Sequence, residues 1–123
     1  MMNDNLILAK SMDFAVRCVN LYKYLTREKG EYVMSKQVYR SGTSVGANIR
    51  EALQGQSKAD FTAKMSIALK EASETEYWLE LLVKTDYLTQ SEYKNLQKDC
   101  GELARLLTSI VKSSRNSMKS NKV

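Results

Sequence analysis

Residues 57–84 read SKADFTAKMSIALKEASETEYWLELLVK, and the fold turns on this stretch. Phe61, Met65, Ala68, Ala72, Thr75, Leu79 and Leu82 recur at alternating spacings of four and three residues. That rhythm keeps one face of a long helix turned toward a bundle core. Ser57 offers a cap hydroxyl and Asp60 a carboxylate in the first turn, close to a capping box in which Asp replaces the usual Glu. Ala68 and Ala72 are small enough to let a neighbouring helix come close. The helix is predicted to stop near Thr85-Asp86.

Working outward, three further segments carry the same period. Thr89-Gln90-Ser91-Glu92 is a capping box, and it opens a seam of Tyr93, Leu96, Cys100, Leu103, Leu107 and Ile110. The first segment, about Leu6 to Arg27, has two apolar stripes side by side. One is Leu8, Met12, Ala15, Val19 and Tyr22; the other is Phe14, Cys18, Leu21 and Leu25. Gly30, after the basic last turn of Arg27 and Lys29, provides a stop. The second segment, about Val33 to Gln54, has core positions at Val38, Val45, Ile49 and Ala52 or Leu53. It contains Ser41-Gly42-Thr43-Ser44-Val45-Gly46-Ala47-Asn48. Glycine inside a helix costs ~1 kcal/mol relative to alanine. Gly42 and Gly46 share a face, so close approach of another helix is the expected reason; the alternative is a loop that breaks the helix there.

The chain of 123 residues contains no proline, which favours long uninterrupted helices. Short connections between long helices make neighbours antiparallel. The fold predicted is all-α, an antiparallel up-down-up-down four-helix bundle over residues 1–112, followed by a flexible basic tail at 113–123. Phe14, Leu21 and Leu25 on the first helix, with Ile67, Trp78 and Leu81 on the third, extend beyond a single seam. Such extra apolar surface points to a homo-oligomer interface, against the plainer account that a wide core needs wide stripes.

The same sequence argues against catalysis. It has no histidine, which removes the usual general base and metal ligand together. Cys18 and Cys100 lack ligand spacing and fall on apolar stripes, as buried small hydrophobes do. Glu71, Glu74, Glu76 and Glu80 crowd the third helix, but no Glu-x-x-His accompanies them; Glu76 and Glu80 are expected in solvent, and Glu71 and Glu74 against Lys or Arg of another helix. The glycine run lacks the strand, the lysine and the GK[ST] end of a phosphate loop. No cofactor or metal is implied, and the expectation is not an enzyme. The opening MMNDNLILAK lacks a basic region ahead of an adequate apolar run, and no segment approaches ~18 apolar residues. A cytoplasmic location is expected.

The formal net charge is +5. Lys112, Arg115, Lys119 and Lys122 carry +4 of it with no acid after residue 111, leaving 15 basic against 14 acidic groups in the rest. Phosphate binding needs clustered cations; the candidates for RNA or DNA contact are Arg17, Lys36, Arg40, Arg50, Lys58, Lys64, Lys112, Arg115 and Lys119. Asn48 and Glu51 are singled out as structural polar residues, Asn48 either fixing register or contacting a ligand.

Two segments carry a family resemblance. Ser35-Lys36-Gln37-Val38-Tyr39-Arg40-Ser41-Gly42-Thr43-Ser44-Val45-Gly46-Ala47-Asn48-Ile49-Arg50-Glu51-Ala52, followed by Ser57-Lys58-Ala59-Asp60-Phe61, resembles the 23S rRNA-intervening-sequence proteins. The likeness runs over roughly residues 6–113 and is joined by Glu76-Tyr77-Trp78-Leu79-Glu80-Leu81-Leu82. This family is similar to the accessory variability determinant proteins of diversity-generating retroelements, basic pentamers that bind nucleic acid and a reverse transcriptase. The resemblance implies a four-helix bundle, a homopentamer, association with RNA or DNA, and a reverse transcriptase or other protein as partner; it implies no catalytic residue. Gly46 stands where many relatives have proline, and Arg50 and Ala52 replace a small residue and a glycine, while Asn48 and Glu51 match. A scaffold that binds nucleic acid is the leading expectation, and a protein-interaction module without nucleic acid is the other.

Overall fold

The computed structural model describes residues 4–120. They form four helices: α1 (Asp4–Glu28), α2 (Met34–Leu53), α3 (Lys58–Lys84) and α4 (Gln90–Ser120). Each helix packs on the next in sequence, and α4 touches α1 more sparsely to close the square. Cross-helix pairs set the directions. Arg17 meets Asp99 and Lys10 meets Glu102, while Arg40 meets Glu71 and Glu51 meets Lys64. Numbers rise on one helix as they fall on its neighbour.

The caps predicted at α3 and α4 form. Ser57 Oγ accepts from the Asp60 N–H at 3.1 Å. Thr89 Oγ1 accepts from Glu92 N–H at 3.1 Å while Glu92 Oε1 accepts from Thr89 N–H at 2.8 Å. The chain turns out of α1 through Gly30, whose φ of +62° is the left-handed value that glycine tolerates best. α2 is unbroken through Gly42 and Gly46, so the loop alternative falls.

α2 has no capping hydroxyl at its N-terminus. Glu31 does that work from outside the helix: its buried carboxylate accepts from the N–H groups of Val33, Met34 and Ser35 at 3.1, 3.0 and 2.7 Å. Burial alone pushes this carboxyl up, but the donors at Ser35, Met34 and Val33 together hold it below the usual glutamate value. A folded value below the unfolded one means the cap contributes fully above the unfolded range. That contribution is lost as pH falls through that range toward the folded value. Glu31→Ala is therefore expected to lower stability by about 1 kcal/mol at neutral pH. In urea titrations, the gap between variant and parent should narrow below about pH 4; an unchanged gap would place the cost elsewhere.

The core is built from Phe14, Cys18 and Leu25 of α1, Val38, Val45 and Ile49 of α2, Met65, Ala68, Ala72, Leu79 and Leu82 of α3, and Cys100, Leu103 and Leu107 of α4. The rhythm of residues 61–82 is the core seam of α3, with Phe61 half-buried at its start. On α1 the second stripe, not the first, supplies the buried core, and the first lies at its edge. Phe14, Leu21 and Leu25, proposed above for an oligomer interface, are 1%, 7% and 0% exposed, whereas in the first stripe Met12 is 48% exposed and Leu8, Ala15, Val19 and Tyr22 are half-buried. The two stripes are equally apolar and both helical in phase; which one turns inward is set by the partner. Gly42 of α2 lets Cys18 and Phe14 seat against its backbone: a Cβ there would lie 2.2 Å from Cys18 Sγ.

The tail also differs from expectation. α4 continues past residue 112 to Ser120. Ser114 is buried and shares a hydroxyl–hydroxyl hydrogen bond with Thr62, while Lys58 Nζ donates to Ser117 Oγ at 2.6 Å. Two of the four serines in this stretch, Ser114 and Ser117, tie it to α3, while Ser113 and Ser120 stay exposed.

Candidate nucleic-acid interface

The structure divides the nine cations named above. Arg17 is held by Asp99 and Asn95 of α4 at 2.6 and 2.7 Å. Arg40 bridges Glu71 and Glu74 of α3, and Glu74 also accepts from the Trp78 indole N–H at 3.0 Å. Lys64 pairs with Glu51 at 3.1 Å. These three are neutralised locally and join helices rather than offering charge to a ligand. Glu71 and Glu74 thus face an arginine of another helix, as expected. Lys58 and Arg115 are tied only to hydroxyls, Ser117 and Ser66. Lys36, Arg50, Lys112 and Lys119 are exposed.

Of the two residues chosen as structural polar groups, Asn48 bonds within α2 and Glu51 reaches across to α3. Asn48 is half-buried and its Nδ2 donates to the Ser44 carbonyl one turn back, at 2.8 Å; it bridges no helices in this chain. Glu51 is exposed, with Lys64 as its partner. Of the residues predicted at an oligomer interface, Trp78 and Leu81 are half-buried and Ile67 is 43% exposed.

The feature that residue-by-residue selection missed lies along α4. Lys98, Arg105, Lys112 and Lys119 recur every seven residues. A straight helix drifts about 20° per heptad, so the four stay on one face over about 30 Å. All four are exposed, and among the described residues none has an ion-pair partner. The acids of α4 are placed elsewhere: Glu92 caps the start, and Asp99 and Glu102 turn to α1 to hold Arg17 and Lys10. Lys94 extends the row one turn earlier, and Arg115 lies beside it on the α3 side. The seven-residue spacing is legible in the sequence; its lack of ion-pair partners is not.

Beside the row runs a groove of about 620 Å³ between α3 and α4, lined by Glu76, Tyr93, Lys94, Gln97, Lys98 and Gly101, with Arg105 at its far side. Gly101 is buried at its floor, and a Cβ there would come within 3.3 Å of Arg105 Nη1. Gln97 Nε2 donates to Glu76 Oε2, so Glu76 is half-buried and engaged rather than free in solvent as expected. Gln97 Oε1 is buried without a hydrogen-bond partner.

The thiols offer no competing chemistry. Burial pushes Cys18 up to about 12 and raises Cys100 as well; Cys100 Sγ contacts the Ala72 carbonyl at 3.4 Å. Both stay protonated and unreactive near neutral pH. Among the described residues, no helix is long and apolar enough to cross a membrane.

Comparison with known proteins places this architecture. The family model for 23S rRNA-intervening sequence protein matches residues 3–109. The chain belongs to that family. A crystal structure of a protein of unknown function from the S23 ribosomal protein family of Bacteroides thetaiotaomicron is similar at 60% sequence identity, with a TM-score of 0.88, covering 90% of this chain and 99% of that one. No curated protein matches. The family match stops short of Lys112, Arg115 and Lys119, so the second half of the cationic row lies outside the part of this intervening-sequence protein that the family model describes.

Proposed function

We propose that this protein is a non-catalytic scaffold that binds nucleic acid through α4. The observation that carries the reading is the row Lys98, Arg105, Lys112 and Lys119, exposed and, among the described residues, without an ion-pair partner. Free cations release counterions from a phosphate backbone; cations already paired with carboxylates gain much less. A straight row of lysines and an arginine suits a phosphate backbone, and phosphate contacts fix position without reading sequence. The family's description names a ribosomal RNA, and this supports RNA as the first ligand to try. The absence of histidine and the two buried thiols support a role without catalysis, and a cytoplasmic location accompanies it.

The test is fluorescence anisotropy with a hairpin RNA and a duplex DNA across a salt series. Binding is expected to weaken steeply with salt. Absence of binding at low salt, or affinity indifferent to salt, would overturn the proposal.

A second reading, association through protein surfaces, is favoured by the exposed side chains of Met12 and Val16 on α1 and Ile67 and Tyr77 on α3. Homo-oligomerisation, a pentamer on the family likeness, would repeat the α4 row on every subunit and raise avidity without new contacts. Light scattering decides it: a monomer at every concentration contradicts assembly.

A further inference from the structure

The groove beside the cationic row has a chemistry of its own. Two residues that line it carry acceptors: Gln97, whose Oε1 is buried and unpaired, and Glu76, whose carboxylate accepts from Gln97 Nε2. Its rim presents cations, Lys94, Lys98 and Arg105. Arg105 does not close on Glu76 as an ion pair, although both approach the empty Cβ position of Gly101, at 3.3 and 4.0 Å. Tyr93 lies one turn before Gln97 and lines the same groove. A buried acceptor left unpaired costs free energy that a donor from a ligand recovers. At about 620 Å³ the groove is of ordinary size for a small ligand. Its complement is a molecule with adjacent N–H donors at one end and negative charge at the other.

Resting on the reading of α4 as a phosphate-binding face, we propose that this groove holds one unpaired guanine nucleotide of the bound RNA. Guanine alone among the four bases puts two neighbouring donors, N1–H and N2–H, on its pairing edge. Those donors match an amide oxygen beside a carboxylate, and the 5′-phosphate then falls to Lys98 and Arg105 on the rim. Gly101 is part of the device, because a side chain at that position would crowd the floor.

The experiment titrates the full chain with GMP, AMP, CMP, UMP and inorganic phosphate, following the side-chain amide signal of Gln97 by NMR. GMP is expected to bind about tenfold or more tightly than the other three, and to move the Gln97 amide where inorganic phosphate does not. Gln97→Leu, similar in volume and lacking the orphaned oxygen, is expected to retain thermal stability and lose the preference for GMP. Lys98→Ala should weaken all four nucleotides alike. Equal binding of all four, matched by phosphate, overturns the guanine site and leaves the α4 reading intact. The same holds if no nucleotide binds while hairpin RNA still binds with a steep salt dependence. Loss of RNA binding as well removes both.

Discussion

Replacing Gly42 by alanine is expected to destabilise the bundle by about 1–3 kcal/mol, the cost of overpacking a well-filled core. The direction is opposite to helix propensity, which favours alanine by ~1 kcal/mol at a helix interior. The new methyl would lie 2.2 Å from Cys18 Sγ and 3.0 Å from Cys18 Cβ, with Phe14 at 3.7 Å behind it. All three residues are buried, so α1 and α2 must part or Cys18 must leave its place. Gly46, one turn on, is the internal control. Its added Cβ would meet Ser11 Oγ at 3.4 Å, ordinary contact, so Gly46→Ala should be neutral or stabilising by up to about 1 kcal/mol. Urea titrations of both variants measure the contrast. Combining Gly42→Ala with Cys18→Ala should recover part of the loss, a coupling expected only for side chains in contact. Equal stability of Gly42→Ala and parent would mean that the helices do not need this close approach.

Changing Lys98, Arg105, Lys112 and Lys119 together to alanine should abolish most nucleic-acid binding. Each phosphate neutralised on duplex DNA contributes about −0.9 to the slope of log affinity against log salt. Four contacts therefore predict a slope near −3.6 for one protomer, or about 100-fold weaker binding between 50 and 200 mM salt. The quadruple variant should lose both the affinity and the slope. Helical content should be retained, since the four side chains are exposed and unpaired with acids. Arg17→Ala, Arg40→Ala and Lys64→Ala serve as the comparison, for they remove charge already held by carboxylates. They are expected to cost stability and leave the salt slope unchanged. Deleting the chain from Lys112 is a poorer probe, because it also removes Val111's packed successors, including buried Ser114. If the quadruple variant binds like the parent, the interface lies on another face.

How far the site could be read from the chain follows from what each residue's role depends on. Thr89 with Glu92, and Ser57 with Asp60, are local arrangements, and both formed as their spacing required. Glu31 escaped notice because it caps α2 from outside the usual position, reaching three N–H groups with one carboxylate. Arg17, Arg40 and Lys64 looked like free cations because their partners lie 82, 31 or more, and 13 positions away along the chain. The spacing of Lys98, Arg105, Lys112 and Lys119 was visible throughout, but its meaning depended on where Asp99 and Glu102 turn.

By itself the sequence determined the four helices, their caps at α3 and α4, the seam of α3, and the family. Those depend on interactions within a few turns of one helix, which residue spacing specifies. The tertiary structure decided which of two apolar stripes on α1 became core, whether the serines after Lys112 were solvated or packed, and which cations stayed free. Each is a contest between faces of similar composition, and it is resolved by the shape and charge of another helix. Gly42 shows the link most plainly. Its place on the chain marked a close approach, and only the fold supplied Cys18 as the residue that approaches.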